Sequence, residues 1–176
     1  PSGVGKGTLA LYLADKLHFN YLNSGALYRS IGYIAELKSI DLTDEKMLIS
    51  ITQSITFKLN KISKNIEIMY ENKSINKKIF NEKTANTASK IASISSLRKS
   101  IVNIQRAFAK EPGLVAEGRD MGSIIFPDAI IKLFLTANTK TRAKRRHKQL
   151  KEKGINVSLS QLIDELEARD KRDTVR

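Results

Sequence analysis

Eight residues at the start of the chain carry its densest chemistry: Pro1-Ser2-Gly3-Val4-Gly5-Lys6-Gly7-Thr8. Three glycines alternate with small residues, and a lysine stands where the run passes into a helix. Glycine lacks a Cβ, so the backbone can curl with its N–H groups inward and come close to an anion. The helix that follows, with Leu9, Leu13 and Leu17 on one stripe, adds the positive end of its dipole. Loop and helix N-terminus together make a phosphate cradle, and Lys6 supplies a mobile charge for the outer phosphates of a nucleotide. The pattern approximates a Walker A motif with two differences. The leading glycine would fall before residue 1, and Gly7 takes the place usual for Ser or Thr, with Thr8 one position later.

Two other groups of residues could work on the same anion. Glu117-Gly118-Arg119-Asp120 follows the compact apolar run Leu114-Val115-Ala116. In an open α/β sheet, ligands bind beyond the C-terminal ends of the strands, so Arg119 and Asp120 should project toward the phosphate loop. A structural Arg–Asp pair is the alternative. Near the end of the chain, Arg169, Asp173 and Arg176 fall within about 60° of one another on a helix turning ~100° per residue. Arginine suits the clamping of phosphoryl groups. Glu165 lies four residues before Arg169, so an ordinary salt-bridged, solvated helix is the competing reading. His18 and His147 lack partner histidines at metal-ligand spacing and read as surface residues.

These groups need elements to position them. Phe19 to Leu22 reads as a short strand, and Ser24 as the N-cap of a helix with Leu27, Ile31 and Ile34 inward. Strand, helix and strand this early, with a phosphate loop at the first turn, predict an α/β fold with a parallel sheet. Thr43-Asp44-Glu45 opens another short helix. From Ile55 to Leu59 and from Asn65 to Glu71 the period drops to two, with turns at Lys61 to Asn65 and Asn72-Lys73 and a third short strand around Ile75. That is a small antiparallel sheet inserted into the α/β pattern. Helical signals return near Glu82, and Leu97, Ile101, Ile104 and Phe108 form a buried stripe that ends at Glu111-Pro112-Gly113. Leu114 to Ala116 and Ile130 to Leu135 are the best buried strands. Thr141 to Lys153 is a basic helix, and Ser158 with Gln161 makes a capping box for the last one. The missing first strand and closing elements read as truncation at both ends.

Composition narrows the function classes. The 176 residues, 41% of them hydrophobic, suit one domain with small insertions. There is no apolar run near the ~20 residues of a membrane helix and no secretory pattern. Cysteine is absent, which excludes disulfides and thiolate metal sites. A net charge of +13 attracts polyanions, but the basic helix lacks the interleaved aromatics of a single-strand binder. The arginines are spread over separate segments rather than laid in one stripe.

The chain resembles bacterial-type cytidylate kinase, a nucleoside monophosphate kinase of the P-loop class. The resemblance runs through Pro1 to Thr8, Ser24-Gly25-Ala26-Leu27-Tyr28-Arg29, Thr84-Ala85-Asn86-Thr87-Ala88-Ser89, Gln105-Arg106-Ala107-Phe108, Glu117-Gly118-Arg119-Asp120-Met121-Gly122, Phe126-Pro127-Asp128-Ala129 and Glu167 to Arg176. One departure is Asn23, where that family usually has Asp. It removes a carboxylate that could help hold magnesium or orient the substrate phosphate.

The resemblance implies a P-loop kinase core with a parallel sheet, an inserted monophosphate-binding domain with a small antiparallel sheet, and a helical lid. Residues 1–24 and 90–138 would be the core, 25–89 the monophosphate-binding domain and 139–176 the lid. It implies transfer of the γ-phosphoryl group of ATP to CMP or dCMP with Mg²⁺, in a cytoplasmic monomer acting on neither nucleic acid nor membrane. Ser2, Gly3, Val4, Gly5, Lys6, Gly7 and Thr8 would hold the ATP phosphates, and Thr8 would ligate or orient Mg²⁺. Ser89, Arg98 and Asp120 would face the cytosine. Arg29, Arg119 and Arg176 would hold the CMP phosphate, with Arg169 beside them and Ser24 and Tyr28 on the same substrate. Asp173 would accept from the ribose hydroxyls. Lys6, Arg119 and Arg176 are the expected catalytic residues.

Overall fold

A computed structural model describes residues 1–60, 62–152 and 154–174. Lys61 of the expected turn, Lys153 of the basic helix and Arg176 of the arginine face lie outside the described residues. The chain divides into two compact units, Pro1–Lys6 with Ile130–Arg176, and Gly7–Ala129.

The larger unit is built from α1 (Lys6–Leu17), β1 (Asn20–Asn23), α2 (Ser24–Leu37), α3 (Glu45–Ser54), β2 (Ile55–Leu59), β3 (Ile66–Tyr70), β4 (Lys73–Ser74), α4 (Glu82–Ile91), α5 (Ser95–Arg106) and β5 (Leu114–Glu117), with a π turn at Met121–Ile125. β1 and β5 pair in parallel with Asn20 opposite Leu114 and Asn23 opposite Glu117. Buried Asn20 secures that pairing: its Nδ2 donates to the carbonyls of Lys110 (2.9 Å) and Glu111 (3.2 Å), at the turn that delivers β5. A parallel pair with a helical connection brings the ends of both strands to one side, where loops can meet.

The period-two segments form the expected antiparallel sheet, in the order β2-β3-β4. Ile55, Phe57 and Leu59 stand opposite Tyr70, Ile68 and Ile66. The buried faces of α2, α3, α4 and α5 close over this sheet, with Leu27, Ile31, Ile34, Leu48, Ile68, Ile91, Leu97 and Ile101 fully enclosed. Each such side chain contributes about 1.5–3 kcal/mol by leaving water.

Two local expectations are corrected here. On α1 the inward line is Gly7, Ala10 and Ala14, with both alanines buried, while Leu17 is exposed. Small residues let the helix approach its neighbours closely, while Leu9 and Leu13 are only half-buried and Leu17 turns outward. The N-cap of α2 is Asn23, not Ser24: Asn23 Oδ1 accepts from the Ala26 N–H at 3.1 Å. Gly25 leaves room for that bond, since a Cβ there would stand 3.1 Å from Asn23 Oδ1. Asn and Asp cap helices equally well, so this duty survives the Asp-to-Asn departure.

In the smaller unit, α6 (Thr139–Glu152) and α7 (Leu159–Thr174) pack through Ala143, Leu150 and Leu162. Ser158 accepts from the Gln161 N–H at 3.1 Å, but Gln161 donates onward to Glu165, so only half of the capping box forms. The strand expected at Ile130 to Leu135 is absent among the described residues. Ile130, Ile131 and Phe134 are instead largely exposed, at 101%, 75% and 83%. A strand needs a neighbour to satisfy its N–H and C=O groups, and the described residues of this unit contain none.

Candidate active site

Gly118 is the point where two sequence motifs meet. A Cβ on it would lie 3.1 Å from the Cβ of Ser24, so the loop after β5 rests against the first turn of α2. The loop therefore carries Arg119 and Asp120 out beside Ser24. Ser24 itself is buried and donates to Gln105 Oε1 on α5 at 2.8 Å. Asp120 Oδ2 accepts from Arg98 Nη2 at 2.9 Å, and the two side chains keep 22% and 19% exposure. The pair is therefore partly open to solvent. Both residues were expected at the cytosine, and the fold does bring them together.

Arg29 lies one helical turn beyond Ser24, half-buried on α2 with Tyr28 next to it. Its Nη1 donates to the carbonyls of Ile79 and Asn81, both at 3.1 Å, and its guanidinium lies over the Phe80 ring, 5.5 Å from the centroid. The segment before α4 thus holds this cation in place. Ser89 is buried on α4 itself, and Arg119 is half-buried in the loop.

Glu117 is a further candidate site residue, one that residue type and spacing alone do not single out. Its Oε1 accepts from Tyr21 Oη at 2.8 Å and would lie 3.0 Å from a Cβ on Gly7. A carboxylate therefore sits against the first turn of α1, where the helix dipole favours negative charge. A side chain at position 7, where Ser or Thr is usual, would require the carboxylate to shift by a few tenths of an ångström. Burial, and next the Glu117 charge, push the Tyr21 hydroxyl well above its ordinary pKa. The available signal was position: Glu117 is the last residue of a parallel strand. Thr8, the next residue along α1, is exposed.

In the other unit, the loop takes the conformation that its glycines permit, with φ of +73° at Gly3 and +97° at Gly5. Val4 is buried, so its backbone and not its side chain is what it offers. Lys6 Nζ donates back to the Pro1 carbonyl across the loop. The buried Arg142 organises the unit. It donates to the carbonyls of Ser2 and Ala137 and to Thr139 Oγ1, each at 3.0 Å, and pairs with Asp170 on α7. Arg142 belongs to the expected basic helix, and within it serves as a strut from the loop to α7. Arg169 and Asp173 are half-buried on α7, flanking that contact in sequence.

Comparison with known proteins agrees with this geometry. The family model for cytidylate kinase matches residues 1–176. The cytidylate kinase of Pseudomonas syringae pv. tomato is 47% identical over 178 residues, covering 100% of this chain and 78% of that protein. That of Nitrosomonas europaea is 46% identical, covering 100% and 77%, and that of Aeromonas salmonicida is 40% identical, covering 100% and 76%. With the family model matched over residues 1–176 and relatives 40–47% identical over the whole of this chain, the chain belongs to the cytidylate kinase family.

Proposed function

We propose that transfer of the γ-phosphoryl group of ATP to CMP or dCMP, the activity of this family, runs here through the residues just described. The observation that carries the assignment is the Arg98–Asp120 pair, partly open to solvent beside Ser24. Cytosine presents an N4 amino donor next to the N3 acceptor, whereas uracil reverses both. A carboxylate only accepts, so Asp120 suits N4, and the Arg98 guanidinium suits N3. Ser89 completes the base contacts. Arg29, Arg119, Arg169 and Arg176 take the CMP phosphate, with Ser24 and Tyr28 on the same substrate, and Asp173 accepts from the ribose.

Phosphoryl transfer between two anions needs positioning, charge neutralisation and exclusion of water. The loop N–H groups of Ser2 to Thr8 and the Lys6 ammonium hold the ATP phosphates. Arg119 and Arg176 spread the charge of the migrating group. Residues 25–89 form the monophosphate-binding part, and 139–176 the lid that keeps water out. The oxygen donors beside the first turn of α1 fit magnesium, a hard cation that takes one or two protein oxygens and completes its shell with phosphates and water. Thr8 and Glu117 would hold it, and when bound it neutralises phosphate charge. The proposal includes a cytoplasmic monomer.

A coupled assay of ADP release with CMP, dCMP and UMP tests the activity, and Asp120→Asn tests the site. That variant keeps the shape and can turn an N–H toward uracil O4. It should narrow the CMP to UMP ratio of kcat/KM by about tenfold, ~1.4 kcal/mol. An unchanged ratio would return Asp120 to a structural role.

A further inference from the structure

Gln105 and Arg106 sit next to each other on α5 and point to different partners. Gln105 accepts from Ser24. Arg106 donates through Nε to the Ile125 carbonyl at 2.9 Å and through Nη2 to the Ile124 carbonyl at 3.0 Å. Those carbonyls close the π turn Met121–Ile125. Single π turns are rare and concentrate at functional sites. This one is anchored at its other end on Asp120, whose carbonyl accepts from the Ile124 N–H (2.9 Å) and the Ile125 N–H (3.2 Å). The Ile125 bond is its first i to i+5 bond, and the second runs from the Phe126 N–H to the Met121 carbonyl at 2.7 Å.

The Asp120 carboxylate is gripped by Arg98, eight residues before Arg106 and so about 12 Å away along the axis of the same helix. One helix therefore holds segment 120–125 at both ends. The last carbonyls of any helical turn have no partner within it. A planar guanidinium delivers two fixed N–H groups to two adjacent carbonyls, which a lysine cannot copy.

We propose that Arg106, which has no part in the substrate contacts assigned above, is a positioning residue for base selection. It pins the π turn, and the pinned turn sets where the Asp120 carboxylate stands against the base. The proposal rests on the reading of Asp120 as the group that meets cytosine N4. Hydrogen-bond discrimination depends steeply on angle and distance. A turn free to relax toward α or 3₁₀ geometry lets the carboxylate drift, and uracil is then rejected less well.

The test is kcat/KM for CMP and for UMP in the parent, Arg106→Met, Arg106→Lys and Asp120→Asn, with KM for ATP and amide exchange measured on each. Arg106→Met should narrow the CMP to UMP ratio by about tenfold, ~1.4 kcal/mol, with KM for ATP unchanged. Arg106→Lys should recover part of that loss. The amides of Ile124, Ile125 and Phe126 should exchange faster in Arg106→Met, with Ile101 in the core of α5 as protected as before. Equal loss on CMP and UMP, or an unchanged ratio, while Asp120→Asn does narrow it, overturns the role of Arg106 and leaves that of Asp120 standing. An unchanged ratio in Asp120→Asn overturns both. Should Arg106→Met fail to fold, Arg106→Lys alone decides: a parent ratio with parent exchange at 124–126 sinks the proposal.

Discussion

Ser24 and Gln105, 81 positions apart in the sequence, share one buried hydrogen bond of 2.8 Å, with Ser24 donating and Gln105 accepting. The bond ties the first turn of α2, against which the Gly118 loop rests, to the end of α5. We predict that Gln105→Leu, which keeps the volume and removes the acceptor, destabilises the protein by about 1–3 kcal/mol, the penalty of an unsatisfied buried hydroxyl. It should also raise KM for CMP more than KM for ATP. Urea unfolding with two-substrate kinetics checks this, and equal shifts in both KM values would mean that Ser24 has no part in acceptor binding.

Lys6 closes over its own loop onto the Pro1 carbonyl, which keeps its ammonium at the loop proposed to hold the ATP phosphates. Lys6→Met should lower kcat by on the order of 10²-fold, as for loss of one preorganised charge donor. Purified, folded variant turning over CMP at the parent rate would rule out the proposed mechanism.

The Phe80 ring lies under the Arg29 guanidinium and is itself 56% exposed. Its removal should cost little stability but loosen the cation expected on the CMP phosphate. Phe80→Ala should raise KM for CMP roughly two- to five-fold, the equivalent of about 0.5–1 kcal/mol, at unchanged Tm. A parent KM would show that Arg29 is held in place without the ring.

Tyr21 connects the site to alkaline stability. Its hydroxyl pKa is raised in the fold, first by burial and then by Glu117. Above the unfolded value of about 10, the folded protein keeps a proton that the unfolded chain releases. The stability contributed by neutral Tyr21 is therefore complete below that pH and lost as pH rises past it. From pH 10 to 11 the parent should lose stability more steeply than Tyr21→Phe, approaching 1.4 kcal/mol per unit. Unfolding free energies at several alkaline pH values check the prediction, and parallel slopes would show that Tyr21 titrates normally.

Much of this protein was legible in the sequence because the relevant physics is local. Glycines at 3 and 5 announce a backbone with positive φ, and that is the loop observed. Period-two alternation around Ile66, Ile68 and Tyr70 becomes a half-buried strand. Leu97, Ile101 and Phe108 recur at helical spacing and face the core. The family motif that carries Asp120 was likewise readable, and the fold pairs that carboxylate with Arg98, which the resemblance implied beside the same base.

The tertiary structure decided whatever depends on which neighbour arrives. Ile130 to Leu135 is as apolar as a buried strand, yet it forms none among the described residues of its unit, because hydrophobicity cannot supply a hydrogen-bonding partner. Ser24 and Asn23 are equally good caps on paper, and the choice fell to Asn23 because Gln105 engages the serine from another helix. Nothing in the sequence around Arg142 or Arg106 says what either binds, and only closure of the chain brings the carbonyls that they hold. Glu117 acquires its place through Gly7, 110 residues away in sequence. Periodicity and turn chemistry act over a few residues, while contacts of this span form only when packing brings distant segments together.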